Sequence, residues 1–448
     1  MSRPDVRLEL LAILSCAIPA AVFAQTQDTA SRASVKVLWE HFREELPPFS
    51  FQISRDEIVP SDTDPKMRLR RLEIKFYSQE IDGRKWGHPS VLFMPADQAL
   101  LRRPDRLGKV VVVGQRSIDN LATGSWRDSY LGNYGEPIAA RTGYPTMVVP
   151  VPGEYDEAPG QEISIAFLND LTARSGDPAN HNYFRLAIPY LRALDVMEKI
   201  LNAPRIQAII GGHSKRATSA FTAAAMDPQR VVGVIYMGNE SVFRPLEEAA
   251  LRILSPFNSQ KLVRAKVLYL GATNEDGYEM FNINRIQERM ERPWAIEYIP
   301  NYRHADMSEK HFLDWQMWIS YIFAGRPITK IRDLSYRETP DGTLFRARLD
   351  SPNKIIQAKV WYAYCDDPYW RDVVWYAEFM DPKENGIREG LVTGRLPDAW
   401  FVEVKDMAAG FAGYVSTLPQ GVSRKPTKER VSRGSRPKDW EPKKPAKP

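Results

Sequence analysis

The chain has 448 residues, of which 43% are hydrophobic, 26% charged and 11% aromatic, a balance that excludes wholesale disorder and collagen-like or coiled-coil architectures. The formal net charge of +5 sits at one end: residues 421–448 hold ten Lys/Arg against three Asp/Glu, leaving 51 basic and 53 acidic residues elsewhere. A near-neutral body has no electrostatic footprint for nucleic acid, and a mean hydropathy of −0.40, with no apolar run near 20 residues beyond the N-terminus, excludes a multi-span membrane protein.

Arg3 and Arg7 precede an apolar stretch from Leu10 to Phe23, and Val22-Phe23-Ala24 offers a cleavage site before Gln25. The pattern predicts a signal peptide over 1–24 and a secreted or periplasmic protein. An uncleaved anchor fits less well because the stretch is short, and a lipid on Cys16 because that residue lies inside the apolar run. Processing leaves Cys365 as the one thiol, so neither an internal disulfide nor a cysteine-based zinc site is expected.

From about residue 35 to 328, strand-like and helical stretches alternate. Pro89–Met94, Lys109–Val113, Pro145–Val149, Ile206–Ile210, Val231–Met237, Ala265–Leu270 and Ala295–Ile299 read as strands. Several are unbroken Val/Ile/Leu runs, the signature of strands buried on both faces of a parallel sheet. Between them, Phe184–Leu201 places apolar residues three or four apart, one stripe of a helix. Alternation of this kind predicts α/β architecture. Over 329–420 the texture becomes short aromatic and β-branched runs, such as Lys359–Tyr364 and Trp400–Val404, divided by Pro340-Asp341-Gly342 and Asn385-Gly386. That spacing predicts an antiparallel sandwich. The Lys/Arg/Pro-rich segment 421–448 reads as a disordered tail, with an acidic surface polymer as its candidate partner.

The most informative motif is Ile209-Ile210-Gly211-Gly212-His213-Ser214-Lys215-Arg216-Ala217. A buried strand meets an alanine-rich helix at a tight turn, and a serine there is the nucleophile elbow of α/β hydrolases. The bland alternative is a serine capping a helix. Ser214 as nucleophile needs a base. Of six histidines, His304 alone lies in a loop after a late strand, where the order nucleophile, acid, histidine delivers it; His311 falls in the next helix and reads as structural. The acid is expected after the strand ending at Leu270, from Glu275 or Asp276. Glu240, one strand earlier, is a third candidate and would favour a uronic-acid ester. The backbone N–H of Lys215 and the Gly114-Gln115-Arg116 loop are candidate oxyanion donors. Arg216 and Trp126 are candidate substrate contacts, Arg216 as a cation drawing a carboxylate; Trp126, Tyr130 and Tyr134 could equally belong to the roof of a pocket or to the core. No H-x-x-x-H spacing and no glycine-rich phosphate loop appears, so no metal and no cofactor is expected.

These motifs resemble the PhoPQ-activated pathogenicity-related protein family over roughly residues 40–420. The elbow is similar to that family's G-x-S-K-R-G, with Ala217 in the last place. Trp86-Gly87-His88, Pro300-Asn301 before His304, Tyr362-Ala363 with Arg371-Asp372, and Phe401-Val402-Glu403 also match; Asn274-Glu275 stands where the family has G-D. The resemblance implies an α/β-hydrolase fold, a mostly parallel sheet flanked by helices, with a C-terminal β-sandwich. The expected activity is that of a serine hydrolase acting on a small-molecule or sugar ester. A serine peptidase and a catalytically idle binding or signalling protein are the alternatives.

Overall fold

The computed structural model describes residues 34–115, 134–203, 205–238, 249–275, 294–304, 308–364 and 372–421. The expectations for the signal peptide, Trp126, Tyr130, Glu240, Asp276, Cys365 and the basic tail beyond Gly421 lie outside them.

Helix α1 (Val35–Glu45) leads into three antiparallel strands, β1 (Phe51–Pro60), β2 (Arg68–Ile81) and β3 (Arg84–Pro95). Next come β4 (Lys109–Gln115), α2 (Gly135–Thr142), β5 (Thr146–Pro150), two short strands β6 (Glu154–Tyr155) and β7 (Ala158–Glu162), α3 (Ile165–Ser175) and α4 (Ile188–Leu201). The series continues with β8 (Gln207–His213), α5 (Lys215–Met226), β9 (Val231–Met237), β10 (Lys266–Ala272), β11 (Ala295–Ile299) and α6 (Glu309–Ala324). The sheet runs β1-β2-β3-β5-β4-β8-β9-β10-β11. From β5 to β11 every pairing is parallel. This is the α/β-hydrolase architecture, extended at one edge by an antiparallel meander.

Side-chain alternation explains why β4 reads as an unbroken valine run. Val110 and Val112 join the core of Leu191, Leu194 and Phe221 from α4 and α5, whereas Val111 and Val113 join that of Trp315 and Ile319 from α6. Each face of the strand meets a helical layer, so no polar position is tolerated. The meander follows a different rule. β1 is largely exposed, and Arg70 and Arg71 of β2 pair across the strands with Asp56 and Glu57. Its charges hide the strand pattern from an apolar-run search.

Two further sheets follow. One comprises β12 (Lys330–Thr339), β13 (Gly342–Asp350), β17 (Ile387–Thr393) and β16 (Asp381–Pro382); the other β15 (Trp375–Phe379), β14 (Lys354–Ala363), β18 (Ala399–Ala408) and β19 (Phe411–Ser416), with β20 (Gln420–Gly421) beside β18. All their pairings are antiparallel. Phe345 and Val392 of the first share one core with Val360, Val402 and Val415 of the second, and Trp315, Met317 and Trp318 of α6 enter the same cluster. The sandwich is thus packed against the helix that follows the His304 loop.

Candidate active site

Ser214 is the junction between β8 and α5. Its backbone stands at φ 59°, ψ −128°, a region that a non-glycine residue occupies only when its surroundings enforce it. The enforcement is local. The Ser214 N–H donates to the Met237 carbonyl at 2.9 Å, and its own carbonyl accepts from Ala217 N at 2.9 Å. Gly212 has to be glycine, because a Cβ there would lie 2.7 Å from the Arg216 Cβ and 2.8 Å from the Tyr190 hydroxyl. The Tyr190 hydroxyl lies 3.2 Å from the Gly211 carbonyl and 3.1 Å from that of Arg216, its single proton shared between the two ends of the turn.

The other two side chains arrive from neighbouring strands. Glu275 leaves the sheet just beyond β10 and His304 just beyond β11. His304 Nε2 lies 2.9 Å from Ser214 Oγ, and its Nδ1 is in ion-pair contact with Glu275 Oε1. Glu275 is the more buried partner, its side chain 11% exposed against 28% for His304. The two loops are joined by backbone and hydroxyl bonds: Asn274 N donates to the Tyr302 carbonyl at 3.0 Å, and Asn301 N donates to Thr273 Oγ1 at 2.9 Å. Three residues separated by up to 90 positions thus form one continuous contact chain from hydroxyl to imidazole to carboxylate.

Three other histidines are occupied elsewhere. His88 is buried between Ser78 Oγ and the Pro150 carbonyl, and burial pushes it down to about 4. His311 belongs to the capping box of α6 with Ser308, and burial takes it to about 3. His181, also depressed by burial to about 4, caps a short helical turn. The ring of His213 packs on that of His304, centroids 4.7 Å apart. Burial first, then the neighbouring His304, hold His213 down to about 3, so it stays a neutral packing surface beside His304.

One of the elbow's two cations turns inward. Arg216 is only 4% exposed, and its Nε donates to the Gln115 carbonyl at 2.6 Å. Lys215 Nζ lies 3.6 Å from Glu162 Oε1. Gln115, at the end of β4, is buried; its carbonyl also accepts from Val151 N at 3.0 Å, while its Nε2 has no hydrogen-bond partner among the described residues. Tyr134 belongs to the core, against Phe312 and Trp315. Tyr190 escaped the sequence reading, although a tyrosine inside an apolar helical stripe signals a buried hydroxyl in need of a partner. Among the described residues no group of three or more His, Cys, Asp or Glu could hold a metal ion, and no helix is long and apolar enough to cross a membrane.

No protein-family model and no curated protein matches the sequence. Solved structures do. An acetyl xylan esterase from Paenibacillus sp. R4 is similar with a TM-score of 0.42 and 16% identity, covering 67% of this chain and 99% of its own. Acetyl xylan esterase 1 from Thermoanaerobacterium sp. JW/SL YS485 gives 0.42 and 11%, covering 66% and 98%. A glucuronoyl esterase from Solibacter usitatus gives 0.38 and 14%, covering 62% and 86%.

Proposed function

We propose that the chain is a serine hydrolase acting on carboxylic esters through Ser214, His304 and Glu275. The observation that carries this reading is the contact chain at Ser214, with the 2.9 Å separation of His304 Nε2 from the serine Oγ and Glu275 on the opposite ring nitrogen. Such geometry lets the imidazole take the hydroxyl proton as Oγ bonds to the ester carbonyl carbon. Glu275 fixes the tautomer and stabilises the imidazolium. The proton then passes to the departing alkoxide, releasing an alcohol and leaving an acyl-serine. Water, deprotonated by the same imidazole, releases the acid and restores Ser214.

Charge developing on the carbonyl oxygen needs donors fixed beforehand. The backbone N–H of Lys215, at the first turn of α5, is one in this proposal, assisted by the positive end of the helix. Gln115 supplies the second from the end of β4, and its Nε2, without a hydrogen-bond partner among the described residues, supports that role. The inward-turned Arg216 is left out of substrate contact. The motif resemblance to the PhoPQ-activated pathogenicity-related family, the sandwich over residues 329–420 as a separate domain, and a secreted or periplasmic setting for the export-signal-like opening belong to the same proposal.

A fluorophosphonate probe tests it. Covalent labelling at Ser214 of the folded protein is expected, together with turnover of aryl, acetyl or sugar esters. Folded protein that resists labelling would instead be a binding protein on a hydrolase scaffold, and turnover of peptides without esters would make it a peptidase.

A further inference from the structure

Resting on that reading, we infer that Asn301 and Asn274 are positioning residues that clamp the base and acid loops to the backbone of residues 373–375 in the sandwich. Asn301, three residues before His304, stands at φ 62°. Its Nδ2 donates to the Trp375 carbonyl at 2.9 Å, and its Oδ1 accepts from Trp375 N at 2.8 Å. One amide therefore satisfies both polar groups of one residue at the start of β15, as a neighbouring strand would. Asn274, immediately before Glu275, sends Nδ2 to the Val373 carbonyl at 2.6 Å. Thr273 Oγ1 links the two asparagines, accepting from Asn301 N at 2.9 Å and donating to Asn274 Oδ1 at 2.7 Å. Arg303, next to His304, reaches Asp372 at 2.8 Å.

Both loops leave the edge of the large sheet, β10 being followed at its outer side by β11 alone. Past the strand ends the His304 ring packs on His213 at the end of β8, and the asparagine amides tie both loops to the sandwich as well. The Asn301 amide pairs with backbone through both its polar atoms and that of Asn274 with backbone and a hydroxyl, which leaves little freedom, and they sit three residues from the base and one from the acid. The sandwich thus helps set the distance at which His304 meets both Ser214 and Glu275.

The test compares wild type with Asn301→Gly, which keeps the positive φ accessible while removing the amide. Competent sites are counted by phosphonate burst titration, so that turnover is read per titrated site even if part of the protein unfolds. Because displacements near 1 Å cost up to about 100-fold in rate, kcat per site is expected to fall about 10- to 100-fold with KM nearly unchanged. A weakened Glu275 contact also moves the acid limb of the kcat/KM profile to lower pH and broadens the far-downfield proton signal between His304 Nδ1 and Glu275. A merely structural asparagine would change neither. Should Asn301→Gly not fold, Asn274→Ala carries the same expectation. Wild-type turnover per site and an unmoved profile overturn the clamp while leaving the hydrolase reading intact. A folded wild type that is not labelled at Ser214 overturns the hydrolase reading and the clamp's role with it.

Discussion

The hydroxyl of Tyr190 occupies the space that a side chain at Gly114 would need: a Cβ on Gly114 would lie 1.8 Å from that oxygen. The same hydroxyl bonds the Gly211 and Arg216 carbonyls on either side of Ser214, so the end of β4, the elbow and α4 are locked by one polar atom in an apolar layer. Tyr190→Phe keeps the ring and is expected to cost about 1 kcal/mol, the net worth of a buried hydrogen bond. Gly114→Ala, which displaces the ring, is expected to cost more than Tyr190→Phe. Denaturant melts of the two variants check the order.

Ser214→Ala and His304→Ala are each expected to lower kcat by about 10⁴- to 10⁶-fold, and the double variant by little more, because the members of such a relay act as a unit. Glu275→Gln is expected to cost about 10⁴-fold, the penalty of a wrong tautomer, or about 5 kcal/mol of barrier. Asp276→Asn is expected to stay within about tenfold, acting through its field alone. Single-turnover kinetics on an aryl ester separate these classes, and additive losses in the double variant would contradict a shared relay.

Ser214→Gly makes a different point. The backbone at φ 59° costs a serine on the order of 1 kcal/mol or more and a glycine far less. The variant is expected to be inactive yet at least as stable as wild type. A clear loss of melting temperature would show that the elbow is unstrained.

Between β11, α6 and β18 lies a buried group of Glu297, Glu403, Asp314 and Lys310, with Lys310 Nζ 3.6 Å from Glu297 Oε1 and in contact with Glu403. Burial first, then Glu403, raises Glu297 well above its ordinary 4.5; burial also raises Asp314 above 3.8, against the Tyr414 N–H that donates to it and the field of Lys310 and Arg326. The folded chain holds these protons at pH values where an unfolded chain has released them. Their stabilising contribution is full below about pH 4 and is lost as the pH climbs through the folded values. Glu297→Gln removes one such proton. It is expected to be nearly neutral at acidic pH and to gain on the order of 1 kcal/mol under mildly alkaline conditions, about 2–4 °C in melting temperature. A pH series of thermal melts checks it, and a variant curve parallel to wild type would sink the idea.

The sequence by itself determined the features whose causes are local. Valine and isoleucine runs such as 110–113 specify strands covered on both faces. The Gly-His-Ser turn between a strand and an alanine-rich helix specifies an elbow, since only a small residue at 212 lets the two backbones approach. The order of residues along the chain was enough to single out His304 for the position that now faces Ser214. What only the tertiary structure decided is which side chain meets which. Glu275 and Asp276 are adjacent in sequence, and that Glu275 reaches His304 depends on where its loop leaves β10 and how it is zipped to Tyr302. Arg216 turns inward to donate to the Gln115 carbonyl, 101 positions away. The β1–β2 meander escaped notice because charged cross-strand pairs take the place of an apolar pattern. Asn301 and Asn274 find their partners 74 and 99 residues further on. Propensity and periodicity act over a few residues, whereas a hydrogen bond across a domain is set by the packing of every element between its ends.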